Sequence, residues 1–353
     1  MPDVSSLDVL RDQADAYVFQ HIHPHVRFGT ASDRYAGWIG QIYPESATEE
    51  VSTQSRSLGG SSYSIGKVPI SYAPEYFDHF SVLEVDFTFY HPLHDAGDPT
   101  RTFHTLKRYA DAAPSTARFL LKAPQRFSAR TLRTNTSDGP RYTDNANYLD
   151  ADAYVSTFLD PARDLLDNRL VGVIFQQEYQ RRGDSPPPRA FAEELDSFFA
   201  EVPTEVPTHL EIRSAHLLQP VYFDWLASRG LGHVFSHWNW LPMIREQWHR
   251  CGQRFTERTG TVVSRLLTPR DMPYAEAFKH AHPFDAAVPA LSETQQAHDM
   301  VLDATALAFQ AEKQEANLYL IANNRAWGNA PELARTIAHR ILDERAKRSG
   351  KRT

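Results

Sequence analysis

The stretch Val82-Leu83-Glu84-Val85-Asp86-Phe87 decides how the chain is read. Side chains along a strand point alternately to its two faces. Leu83, Val85 and Phe87 therefore share one face, suited to packing against helices, and Glu84 and Asp86 share the other. Thr208-His209-Leu210-Glu211-Ile212-Arg213 repeats the arrangement, with Leu210 and Ile212 on one face and Glu211 and Arg213 on the other. Arg118, Leu120 and Lys122 alternate in the same way. Charged residues facing away from the helices, on several strands, need a shared interior in which to meet.

Working outward from these runs, short apolar segments at 26–30, 82–88, 117–123, 171–177, 208–214, 231–237, 261–267 and 317–323 read as strands. Helical spacing lies between them. Segment 102–113 places Phe103, Leu106, Tyr109 and Ala110 on one face, and 191–199 does so with Phe191, Leu195, Phe198 and Phe199. Segments 293–312 and 331–344 are longer helices, the second with Pro331 in its first turn. Strands alternating with helices imply a parallel sheet, and this many units favour closure. The expected fold is an α/β, TIM-type (β/α)8 barrel, one domain over residues 1–353 with an N-terminal extension at 1–25. Stretches 46–74 and 127–150 interrupt the rhythm as insertions after strands, at the mouth where long loops commonly carry function.

In such a barrel the working surface is the C-terminal end of the strands. Residues expected there are Thr30, Ser32, Glu84, Asp86, Lys122, Arg213, Glu211, His237, Arg265, Asn323 and Asn324, walled by Trp38 and Tyr90. Buried charges need partners. Lys122, Arg213 and Arg265 can be set against Glu84, Asp86 and Glu211, which leaves two readings open. Either the six neutralise one another structurally, or several also bind an anionic or polyhydroxyl small molecule.

Composition narrows the classes. Of 353 residues, 37 are Lys or Arg and 44 are Asp or Glu, a net −7 that disfavours general nucleic-acid binding. Cys251 is the single cysteine, so no intrachain disulfide or CxxC motif exists, which suits a cytoplasmic protein. No apolar run approaches the ~20 residues of a membrane span, and no secretory signal is evident.

Several blocks together resemble the YecE-like family, domain of unknown function 72. They are Val26-Arg27-Phe28-Gly29-Thr30-Ala31-Ser32 with Trp38 and Ile42-Tyr43-Pro44, then Leu83-Glu84-Val85-Asp86-Phe87-Thr88-Phe89-Tyr90, Phe119-Leu120-Leu121-Lys122-Ala123-Pro124 and Leu210-Glu211-Ile212-Arg213. Asn323-Asn324 is similar to the family's Asn pair on the last strand, with Arg325 where Asp often follows. The resemblance covers about residues 26–345 and implies a TIM-type barrel; it implies no catalytic roles, because the family has no settled activity.

The remaining chemistry is weighed residue by residue. His21-Ile22-His23 is an HxH, the metal pair of amidohydrolase barrels, but the strand at 26–30 follows it, which puts the histidines at the wrong barrel end. His280-Ala281-His282 lies in a polar segment. Glu84, Glu211 and His237 could hold a divalent ion in a metal-dependent phosphodiesterase or nuclease. No GxSxG, GxGxxG or P-loop pattern is present, and the cofactor stays open. The expectation is a barrel, an enzyme such as a hydrolase or else a non-catalytic binding module, that takes a small anionic or sugar-like ligand. Lys122 and Arg213 would bind the anion, Glu84 or Glu211 would serve as acid or base, and Asn323 and Asn324 would orient the ligand. Oligomeric state stays open.

Overall fold

Eight short runs rich in β-branched and aromatic residues form the barrel staves: β1 (Val26–Ala31), β2 (Val82–Val85), β3 (Arg118–Lys122), β4 (Leu170–Gln176), β5 (Thr208–Glu211), β6 (Gly232–His237), β7 (Thr261–Leu266) and β8 (Asn317–Ala322). The computed structural model describes residues 4–136 and 139–350. Residues 1–3 of the N-terminal extension, 137 and 138 of the second insertion, and 351–353 lie outside the described residues. Every strand pairs in parallel with its sequence neighbours, and β8 pairs with β1 to close the cylinder. The fold is the (β/α)8 barrel expected.

Alternation along the staves makes two cores. Phe28, Leu83, Phe119, Phe175, Leu210, Phe235 and Leu320 face outward into the large helix-covered core. Val82, Leu120, Ile174, Val234, Val263, Tyr319 and Ile321 fill the interior as a plug, with Ala31. Gly232 is required by this filling, since a Cβ there would collide with the His209 ring.

Two strands are shorter than their apolar runs suggest. β2 stops at Val85, because Asp86 turns into a 3-10 segment, Phe87–Phe89. Thr88 holds that turn by donating to the carbonyls of Lys122 (2.7 Å) and Val85 (3.1 Å). β5 stops at Glu211, and the Ser214 hydroxyl beyond it donates to the Gln180 carbonyl at 3.1 Å. Side chains thus take over backbone partners where the mouth begins.

The outer helices include Arg101–Ala112, Pro188–Glu201, Gln295–Lys313 and Ala330–Gly350. Thr294 caps the third by accepting from the N–H of Ala297. Both insertions contain antiparallel hairpins, Ser52–Leu58 with Ser61–Lys67 and Thr131–Thr136 with Gly139–Asp144. Among the described residues no helix is long and apolar enough to cross a membrane.

Candidate ligand-binding cleft at the barrel mouth

Above the apolar plug, the inward positions become charged. Arg265, third in parity along β7 after Thr261 and Val263, reaches across the barrel to two other strands. Its Nε and Nη2 donate to the two oxygens of Glu84 at 2.7 and 2.6 Å, and its Nη1 donates to Glu211. Both carboxylates are fully buried. Glu211 also accepts from the Ser236 hydroxyl at 2.8 Å and pairs with Arg213 at 3.0 Å. Burial alone would raise the Glu211 carboxyl; Arg213, Arg265 and Lys122, with the Ser236 hydroxyl, outweigh it and hold the group at about 2. Arg265 is raised because the two carboxylates overcome its desolvation. This floor is internally satisfied.

One step toward solvent the pairing is incomplete: Arg213 shares Glu211 with Arg265, and Lys122 pairs with no carboxylate among the described residues. Lys122 Nζ donates to the Gln176 amide oxygen at 2.9 Å, and Arg213 Nη2 donates to the same oxygen at 3.1 Å. Two cations thus converge on one neutral acceptor. Arg213 Nε and Nη1 are buried with no hydrogen-bond partner. Aromatic faces complete the surroundings: Lys122 Nζ sits 4.1 Å from the Phe89 ring centre, and the Arg213 guanidinium 4.2 Å from that of Trp238. Burial and the charge of Arg265 pull Lys122 down to about 8, and burial pulls Arg213 to about 10.

These residues line an open cleft of about 480 Å³ at the strand C-terminal ends. Arg56 reaches it from the first hairpin, donating to the Tyr274 hydroxyl at 2.9 Å, and Arg325 stacks 4.5 Å from the Tyr274 ring centre. The Tyr179 and Trp240 rings pack at a tilt, with centres 5.0 Å apart, on the exposed lip. Asp86 lines the cleft, and its carboxylate makes no hydrogen bond or ion pair among the described residues. In an acidic protein the cleft is thus locally cationic.

Of the residues anticipated from sequence, Glu84, Asp86, Tyr90, Lys122, Arg213, Arg265 and Asn323 line this cleft, with Glu211 beneath. The Asn323 oxygen caps the following turn by accepting from the N–H of Arg325 at 3.0 Å. Ser32 lies next door, in an adjoining chamber. Four residues are turned elsewhere. Thr30 has outward parity on β1 and bonds the Tyr76 hydroxyl at 2.9 Å. Trp38 is fully buried and donates to the Asn324 oxygen at 3.2 Å; that oxygen also accepts from Ala330 N–H, so both are scaffold under the last turn and Trp38 is no wall of the cleft. His237 has the outward parity of His233 and Phe235; burial lowers it to about 3, so it is neutral. Glu84, Glu211 and His237 therefore do not converge, and no cluster suited to a metal occurs among the described residues.

The sequence reading missed Gln176 as a site residue, although its place at the end of β4 with the parity of Ile174 marks it as inward. Arg56, Tyr179, Tyr274 and Arg325 come from the segments that connect barrel strands to their helices, whose paths no periodicity encodes.

The opposite barrel end carries a wider depression of about 760 Å³ that includes His21, His23, Arg27 and Arg118. Its arginines are occupied in part by carbonyls of their own strand approaches: Arg27 by Pro24 and Val26, Arg118 by residues 115–117. Burial lowers His23 to about 4.

The family model described as Protein of unknown function DUF72 matches residues 53–352. Among solved structures, a DUF72 family protein from Thermotoga maritima is similar, with a TM-score of 0.50 and 14% identity, over 90% of this chain and 99% of that one. At that identity the likeness concerns the fold alone. No curated protein matches the chain.

Proposed function

The chain belongs to the DUF72 family, as its resemblance to YecE-like proteins implies, and from its cleft we propose that it binds a small anionic molecule at the barrel mouth. The observation that carries this reading is the convergence of Lys122 and Arg213 on one amide oxygen while two guanidinium nitrogens stay buried and unpartnered. An unmet buried donor costs about 1–3 kcal/mol, more when charged. An oxyanion would satisfy both cations with charge-assisted bonds. Phe89, Trp238 and Tyr90 offer flat faces for a ring on the same ligand.

In this reading the floor is structural. Glu84 and Glu211 are both held by Arg265, so neither is suited to the acid–base part their position suggests. Lys122, with its depressed pKa, is the group able to move a proton if a reaction follows binding, and the Asp86 carboxylate, with no hydrogen bond or ion pair among the described residues, stands in the same cleft. Calorimetric titration with inorganic phosphate tests the proposal. Saturable binding that disappears in K122M/R213M, with the variant still folded, supports it. A wild-type protein that takes up no phosphate refutes it.

A further inference from the structure

Beside the cleft lies a second chamber of about 320 Å³, and Tyr35, Glu84, Asp86 and Tyr90 line both. The left-handed turn at Ser32 (φ 69°), just past the end of β1, brings Asp33 into its wall. Asp33 is buried and accepts from the Tyr109 hydroxyl at 2.7 Å. Burial raises its carboxyl to about 6, against the pull of Tyr109 and Arg34. Lys67, at the end of the first hairpin, lines the same space; burial lowers its amine. Among the described residues Lys67 makes no side-chain hydrogen bond or ion pair, and neither does Asp86.

The mixture is informative. A site built only for anions would not be walled by Asp33 and Asp86, and one built only for cations would not include Lys67. Carboxylates that accept and an ammonium that donates are together suited to hydroxyl groups, which do both. Thr102 and Ser32 add further hydroxyls, and Tyr35 and Tyr90 stand where the two spaces join.

We infer that this chamber is a subsite for the hydroxyl-bearing part of the ligand, so that the molecule bound is an anionic sugar, a sugar carrying a phosphate or a carboxylate. Its anionic group rests on Lys122 and Arg213, and its hydroxyls reach past Asp86 to Asp33 and Lys67. The inference rests on the anion clamp proposed above, and the test separates the two.

Calorimetric titrations would compare inorganic phosphate and acetate with a panel of pentose and hexose phosphates and uronates. Phosphate reports the clamp alone. The expected result is that at least one sugar phosphate or uronate binds tenfold or more tighter than its bare anion. D33N and K67M should each remove most of that gain and leave phosphate affinity unchanged; Lys67 is only half-buried, so its variant guards against misfolding of the other. Phosphate binding with no gain from any sugar would overturn the subsite and spare the clamp. A gain that survives both substitutions would overturn it too. Failure of phosphate itself to bind would overturn the clamp and this inference together.

Discussion

On the floor of the mouth Arg265 gives three nitrogens to Glu84 and Glu211, whereas on the rim Lys122 and Arg213 share a single neutral oxygen of Gln176. Both layers are built on buried cations, yet one closes on carboxylates and the other stays short of negative charge. A buried cation without full compensation is tolerated only where something repays its desolvation. The difference teaches that charge count alone does not locate a site. Three cations and three acids looked balanced, but Asp86 stands apart and the carboxylates are spent on the floor.

The largest effect that could break this contrast is on the floor. R265A leaves buried Glu84 without its cation and Glu211 with only Arg213 and Ser236, and should lower stability by about 3–5 kcal/mol, read from denaturant unfolding. A variant as stable as the wild type would mean the floor is not a closed ion-pair network.

On the rim the expectation reverses. K122M/R213M should keep or slightly raise stability, because Glu211 retains Arg265 and the Ser236 hydroxyl when Arg213 is removed, and two incompletely paired buried charges are gone. Its affinity for phosphate should fall about 100-fold or more, from the loss of two charge-assisted contacts worth about 1.5–3 kcal/mol each.

Proton linkage sharpens the contrast further. Lys122 titrates near 8 in the folded protein against an ordinary 10.5. Phosphate affinity should therefore fall as pH rises through 8 and the ammonium is lost, and K122M should lack that fall. Stability should move the other way: between about 8 and 10.5 the unfolded chain binds the extra proton, so the Lys122 contribution improves as pH rises through that window. Glu211 acts at the acid end. Its folded value near 2 lies below the ordinary 4.5, so the stability it contributes is complete above 4.5 and lost as pH falls toward 2.

The smallest effect belongs to the lip. Trp240 is exposed, and among the described residues its ring packs against that of Tyr179 alone, at the cleft edge. W240A should leave stability unchanged and weaken a ring-bearing anion by about two- to fivefold, with bare phosphate unaffected.

Strand parity made the barrel and half of its site legible. Alternation in 82–87 and 208–213 identifies Glu84, Glu211 and Arg213 as inward without any coordinates, and the same rule places Lys122 and Arg265. The rule also turns His237 away, since Ser236 holds the inward position beside it; reading it merely as a strand end lost that information. Thr30 fails for the same reason on β1, where Ala31 is the inward residue. Strand ends were harder. The Thr88 hydroxyl, by capturing carbonyls of β2 and β3, ends β2 earlier than apolar content suggests. The contributions of Arg56 and Tyr274 were illegible because they meet across 218 residues through loop paths. Asp33 and Lys67 were hidden likewise, one behind a left-handed serine and the other at a hairpin end.

Thermal unfolding of the wild type and of K122M/R213M, each with and without inorganic phosphate, tests the central claim most directly. The account predicts a phosphate-dependent rise in Tm for the wild type, none for the variant, and a variant Tm in phosphate-free buffer at or above that of the wild type. A variant that melts well below the wild type without phosphate, or a wild type indifferent to phosphate, would contradict it and make the rim cations part of the scaffold.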